Sequence, residues 1–233
     1  MRGKANIAVI IPALNEEKAI KMVLSSIPAW IDDCIVVDNG SADKTAAVAQ
    51  ANSARVVYEP RRGYGSACLS GIKALQKPDI VVFLDGDFSD FPEEMDRLVD
   101  PIIHGEADFV MGSRTLGSRE PGALTFRARL GNWLACCLIK WLWGVKYTDL
   151  GPFRATSFSA LKKFDMVSLD YGWTVEMQIK STQQKLRSLE VPVRYRRRIG
   201  SSKISNTWRG AILAGTKILI TIFTLALAPP QKG

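Results

Sequence analysis

Histidine is nearly absent: the chain of 233 residues holds one, His104. A lone histidine excludes His-rich zinc sites and argues against a Ser–His–Asp mechanism. It sits at the end of a predicted helix, where solvent exposure is expected. Cysteine is scarce too. Cys34, Cys68, Cys136 and Cys137 have no metal-ligand spacing, and the adjacent pair is poorly placed to bridge. Reduced, mostly buried thiols in a cytosolic compartment are expected. No secretory leader is expected, because Ile7 to Leu14 is short and interrupted by Pro12. Internal repeats and low-complexity linkers are also missing. Acidic residues are the minority, 23 against 31 Lys and Arg, giving a net charge of +8 and a pI near 9.4. That balance calls for anionic partners without choosing among nucleotides, nucleic acid and lipid headgroups.

Apolar residues make up 47% of the chain, enough for one substantial globular core. Strand and helix patterns alternate through the first half. Ile7–Ile11 reads as a buried strand, and Glu16–Ile27 as a helix with Ile20, Val23, Leu24 and Ile27 on one face. Cys34–Val37 and Arg55–Tyr58 read as strands flanking a helix that begins near Asp43. Gly63-Tyr64-Gly65 opens a helix towards Ala74, Ile80–Leu84 is a strand, and Pro92 introduces a helical segment to Ile103. Asp108–Met111 returns as a strand. The alternation predicts an α/β fold with a mostly parallel sheet covered on both faces. In the second half, residues 113–128 read as a polar loop, Trp133–Trp143 as an aromatic apolar run and Leu189–Tyr195 as a strand. A basic loop follows from Arg196, and Ala211–Ala228 is apolar apart from Lys217 and a few Thr and Gly residues.

Ligands of open α/β sheets bind beyond the carboxyl ends of the strands. Two apolar strands here run into carboxylates at that edge, Asp38 in VVDNGS and Asp85-Gly86-Asp87 in FLDGD. Buried acids are costly unless a cation or hydrogen bonds compensate them. Asp85 and Asp87 are spaced to approach one hard cation, Mg2+ or Mn2+, of the kind that shares its ligands with phosphates. Asp38 is placed to accept from a base or ribose, or alternatively belongs to a plain strand–turn–helix in which Ser41 or Asp43 caps the helix.

Taken in order, IPALNEE, VVDNGSADKT, RRGYGSA, LDGDFSD and GSR resemble glycosyltransferase family 2, over about residues 5–205. TDLGPFRA, GWTVEMQ and RIGSSK resemble its dolichyl- and polyprenyl-phosphate sugar synthase branch. The resemblance implies a GT-A (Rossmann-like) fold and an inverting hexosyltransferase using a UDP- or GDP-linked sugar, with a lean towards uridine. Pro12, Leu14, Asn15 and Glu16 match its first nucleotide-contacting loop, Asp38 its base- or ribose-binding carboxylate, and Gly63, Tyr64 and Gly65 the loop lining the nucleotide. Asp85 and Asp87, with Gly86 between them, match its metal pair. Where the branch carries a metal-assisting Gln, this chain has Ser89 and then Asp90, so the third ligand is open between them. Arg114 matches an arginine near the donor and acceptor phosphates. Arg127 and Arg129 lie where the family places another, in a register left open. Arg197, Ser202 and Lys203 match a basic loop that closes over the phosphates, with guanidinium forks suited to bidentate binding. Asp149 is a candidate for shaping the substrate site. Glu176 is a candidate base, or else a helix-surface partner of Lys180 at i,i+4.

A lipid phosphate acceptor is largely ionised near neutrality and needs no strong base, which fits the lack of an obvious one. Such an acceptor requires a bilayer. Trp133, Leu134, Leu138, Ile139, Trp141, Leu142 and Trp143, with Lys140 and Lys146 nearby, suit either an interfacial helix or a core helix. Residues 1–205 are expected to form the catalytic domain. Residues 206–233 are expected to form an in-plane helix at the cytoplasmic membrane face, in preference to a soluble core helix or a span, for which about 18 residues containing Lys217 are short. No nucleic-acid partner is expected. The alternative is a soluble family 2 enzyme acting on a hydroxyl, which would need a carboxylate base. A nucleotidyltransferase would carry a Gly- and Arg-rich phosphate loop where IPALNEE stands, and a basic binding protein would leave the strand-end acids unexplained.

Overall fold

The computed structural model describes residues 2–200 and 208–228. Seven strands form one sheet: β1 (Ile7–Ala13), β2 (Asp33–Asp38), β3 (Arg55–Tyr58), β4 (Ile80–Phe83), β5 (Phe109–Ser113), β6 (Arg154–Ser157) and β7 (Ser188–Pro192). Their spatial order is β3-β2-β1-β4-β6-β5-β7. The first four are mutually parallel in that order, and β7 is parallel to β5. β6 runs antiparallel to both β4 and β5. Five strands lie where the sequence predicts them. β7 ends three residues early, at Pro192, with Tyr195 surviving only as an isolated bridge partner of Asp90 and Arg119. β6 was not anticipated, because its sequence, RATS, has neither an apolar run nor a period.

Both faces of the sheet are covered, which is why β1 is apolar at every position and buried throughout. Its alternate side chains enter different cores. Ile7, Val9 and Ile11 meet Ile20 and Val23 of α1 (Ile20–Ser25), Ala49 of α2 (Thr45–Ala51), and Met95, Leu98 and Val99 of α4 (Met95–Ile103). Ile10 faces the opposite core. There α3 (Tyr64–Lys73), α5 (Phe126–Trp143), α6 (Phe158–Phe164), α7 (Trp173–Gln183) and α8 (Trp208–Leu227) contribute Cys68, Ile139, Phe164, Trp173 and Ile222. α5 starts inside the segment expected to be a loop, with Thr125 Oγ1 capping the Ala128 amide and Gly144 (φ 73°) closing it.

α8 lies against this layer. Ile222 is fully buried, and Gln183 Nε2 donates to the Leu225 carbonyl. Among the described residues no helix is long and apolar enough to cross a membrane. Of the cysteines, Cys68 and Cys136 are buried, Cys34 is half-buried and Cys137 is exposed. His104 is exposed at the end of α4.

The strand directions fix where function gathers. Because β6 is antiparallel, the carboxyl ends of β1, β2, β4 and β5 and the entry to β6 share one edge. Asp38, Asp85–Asp90, Arg114 and Asp149–Gly151 therefore converge there.

Candidate active site

Two clefts open at that edge. The first, about 310 Å³, is lined by Pro12, Leu14, Glu16, Gly63, Tyr64 and the Asp85-Gly86-Asp87 triplet, all anticipated, and by Asn39, Arg62, Asp170, Tyr171, Arg198 and Leu213, which were not. The second, about 470 Å³, lies between α5 and α8. It is lined by Arg114, Arg127, Asn132, Leu150, Ile212 and Ile218 among others, and it shares Tyr64, Asp85 and Tyr171 with the first. Asp85 thus stands at the junction of the two.

Loop side chains build the first cleft. Asn15 takes positive φ (53°), its amide donates to Ser41 Oγ at 2.9 Å, and its Oδ1 accepts from the Ala42 amide at 2.7 Å. It ties the β1 and β2 loops together rather than lining the cleft. Asp38 is buried and accepts from the Ser41 amide at 3.0 Å, which closes the turn after β2, while α2 has Lys44 at its N-cap position rather than Ser41 or Asp43. The next residue, Asn39, donates to the Glu59 and Arg61 carbonyls and accepts from the Gly63 amide. It thereby places the Gly63–Tyr64 wall. Gly65 lies behind that wall. A Cβ there would come within 2.0 Å of the Ser168 carbonyl oxygen, and one at Gly63 within 2.2 Å of that of Leu169. These glycines admit backbone, not only ligand.

The acidic turn is tense. Phe88 adopts φ 62°, which a bulky side chain takes only when its surroundings force it. Asp87 Oδ1 accepts from Ser89 Oγ at 2.5 Å and from the Ser89 amide at 2.9 Å, and its Oδ2 faces Arg198 at 3.1 Å. Ser89 is therefore turned towards Asp87. Asp85 Oδ1 and both carboxylate oxygens of Asp90 are buried without a hydrogen-bond partner. Burial first, and then the Asp87 charge, push Asp85 up to about 7 against the opposing pull of Tyr64, Arg198 and Arg114. Asp90 is held well above the usual carboxylate range by burial and by Asp85 and Asp87. Orphaned, mutually repelling oxygens of this kind fit a hard divalent cation. Among the described residues no group of three or more His, Cys, Asp or Glu forms a ready-made metal cage. A cation held by Asp85 and Asp87 would thus take its other ligands from phosphate oxygens and water.

Arg114 lines the second cleft, and behind it the buried Asp149 carboxylate accepts from Arg114 Nε, Nη2 and the Arg114 amide, each at 2.8 Å. Burial alone would raise the Asp149 carboxyl, but the arginine outweighs it and holds the group below its ordinary range. The structure separates the two arginines whose register was open. Arg127 lines the cleft with Asp85 and Arg114, whereas Arg129 lines a different surface with Trp133, Lys140 and Lys146. Glu176 is buried and 2.8 Å from Lys180, and it accepts from the Val167 and Ser168 amides. The pair is internal rather than on the helix surface, and it pins the loop against which Gly63 and Gly65 pack. Arg197 is exposed and bound to Glu120 and the Pro121 carbonyl, while its neighbour Arg198 reaches the first cleft. Ser202 and Lys203 lie outside the described residues. Three consecutive arginines gave no signal for which would point inward.

A family model described as glycosyl transferase family 2 matches residues 8–163. An uncharacterized glycosyltransferase of Mycobacterium bovis is 36% identical over 92% of this chain and 96% of its own length. A UDP-N-acetylglucosamine–dolichyl-phosphate N-acetylglucosaminyltransferase of Methanococcus voltae is 31% identical over 81% of this chain and 84% of its own. Among solved structures, glucosyl-3-phosphoglycerate synthase from Mycobacterium tuberculosis, in complex with Mn2+, UDP-glucose and phosphoglyceric acid, superposes with a TM-score of 0.80. It is 26% identical, with 99% of this chain and 83% of that one covered.

Proposed function

This chain belongs to glycosyl transferase family 2, has the GT-A fold and is a hexosyltransferase, and on that premise we propose that it moves a sugar from a UDP-linked donor to a polyprenyl phosphate. The observation that carries the acceptor is the pair of clefts meeting at Asp85, one carrying the charged Glu16, Asp87 and Arg198 and one running between the apolar helices α5 and α8. The nucleotide lies against Pro12, Leu14, Gly63 and Tyr64, with Asn39 holding that wall in place. Asp85 and Asp87 would hold Mg2+ or Mn2+, which would supply charge stabilisation for the departing diphosphate.

Arg114 and Arg127 receive the acceptor phosphate. Asp149 fixes the Arg114 guanidinium plane, so the cation is oriented before the acceptor arrives. An ionised phosphate oxygen attacks the anomeric carbon in line as the bond to the nucleoside diphosphate breaks, which inverts that centre. No base is asked of the protein. The anticipated carboxylates are committed elsewhere, Asp149 to Arg114 and Glu176 to Lys180. The lipid tail follows α5 and α8, whose exposed Trp133, Trp141, Phe223 and Leu227 would seat the molecule at the cytoplasmic membrane face as a peripheral or monotopic protein.

A second reading is transfer to the hydroxyl of a phosphorylated small molecule. The likeness to a synthase solved with phosphoglyceric acid favours it, and the comparison with solved structures weighs more towards this reading than towards the lipid. It requires a carboxylate base; Asp90 has both oxygens unpartnered but is buried and lines neither cleft. The deciding experiment offers UDP-glucose, UDP-N-acetylglucosamine and GDP-mannose against polyprenyl phosphate and 3-phosphoglycerate, with and without Mn2+. Metal-dependent label in the lipid phase is expected, and label only in a water-soluble product would overturn the lipid acceptor.

A further inference from the structure

Arg198 brings a cation into the first cleft. Its Nη2 lies 2.7 Å from Glu16 Oε1 and its Nη1 3.1 Å from Asp87 Oδ2. Its Nε is buried with no hydrogen-bond partner, a cost that the two ion pairs must offset. The backbone delivers it there. Tyr195 bridges to Asp90, the Arg196 amide donates to the Ser89 carbonyl at 2.9 Å, and the Ile199 amide donates to the Asp87 carbonyl at 3.0 Å. Residues 195–199 thus lie as a strap along the acidic turn. Arg196 clamps one side, with its guanidinium 3.3 Å and 4.0 Å from the ring centroids of Phe88 and Phe91. The Arg197 amide is held by Glu120.

Asp87 has two oxygens, and Ser89 occupies Oδ1 twice over. Oδ2, the one Arg198 holds, is the oxygen a metal ion would require. We propose that Arg198 and the divalent cation compete for Asp87 Oδ2, and that the displaced guanidinium becomes a ligand of the donor diphosphate. The proposal rests on the reading of Asp85 and Asp87 as the metal pair. A cation arriving at Oδ2 repels the guanidinium, whose Nε still lacks an acceptor. The nearest new anion is the diphosphate, which suits a planar fork. Glu16, still bound to Nη2, keeps the swing short. Metal alone then binds against Arg198, whereas metal with nucleotide gives the arginine somewhere to go. The two ligands consequently favour each other.

The test titrates Mn2+ into the whole protein, following free Mn2+ by electron paramagnetic resonance with and without UDP. Arg198→Gln is expected to bind Mn2+ alone about fivefold or more tightly than the wild type, and to lose most of the mutual enhancement by UDP. Arg198→Lys keeps the charge without the fork, so its affinity for Mn2+ alone is expected to stay near wild type while the enhancement falls. Equal Mn2+ affinity in wild type and Arg198→Gln, with the UDP enhancement intact, overturns the competition while leaving the metal pair standing. Failure of the wild type to bind Mn2+ even with UDP overturns the metal pair and the competition together.

Discussion

Arg114 is among the most tightly constrained residues at the site. Asp149 takes two of its guanidinium nitrogens and its amide, and Tyr195 lies under its plane at 5.0 Å. Removing one partner from such a pair strands a buried charge, so Asp149→Ala is expected to cost about 3–5 kcal/mol of stability in urea unfolding. The pH dependence has a definite sign. Asp149 is lowered in the folded chain, so its contribution is complete above the ordinary carboxylate value of about 4 and fades only as pH falls through the lowered one. The gap between wild type and variant should therefore be constant near neutrality and close only in strong acid. Residue types at this site were legible, but their directions were not. Ser89 carries an oxygen that suits a metal, yet its hydroxyl is used by Asp87, and only three-dimensional packing decides that.

At the scale of elements, α5 and α8 carry the clearest unspent surface. Trp133 is 61% exposed, Trp141 77% and Leu227 86%, while Ile139 and Ile222 on the same helices are fully buried. Each helix has one face for the protein and one for something else. If that something is a bilayer, Trp133→Ser with Trp141→Ser should weaken co-sedimentation with anionic vesicles roughly tenfold or more, since each buried aromatic is worth about 1.5–3 kcal/mol. Unchanged sedimentation would detach these helices from the membrane reading. The apolar runs of both were plain in the sequence. The start of α5 was not, because Phe126-Arg127-Ala128-Arg129 is too polar to show a face. β6 was hidden for a related reason: Arg154 is buried there only because the Gly151 and Thr174 carbonyls accept from it.

The whole molecule is held together around its site by a contact between distant parts of the chain. The Glu176–Lys180 pair fixes the loop at Val167 and Ser168, and that loop packs on Gly63 and Gly65 of the first half. Gly65→Ala is expected to lose about 1–3 kcal/mol by thermal or urea melting, because its methyl would displace backbone rather than a flexible side chain. A melt equal to wild type would mean that the loop yields freely. The parallel frame of the fold was legible from alternating patterns. The reversal at β6 was not, since strand direction depends on pairing across the sheet and leaves no periodicity in four residues.

Two clefts sharing Tyr64, Asp85 and Tyr171 as a common wall carry a consequence for how such a chain diversifies. Loops after β1, β2 and β4 shape one side, and α5 with α8 shapes the other. On the proposed reading, donor preference belongs to the first cleft and acceptor preference to the second, and α8 touches both, since its Leu213 reaches the first. On that reading, changes along α5, which lines the second cleft and not the first, exchange one acceptor for another while the nucleotide side stays as it is, so a lineage built on this frame can keep its currency and change its customers.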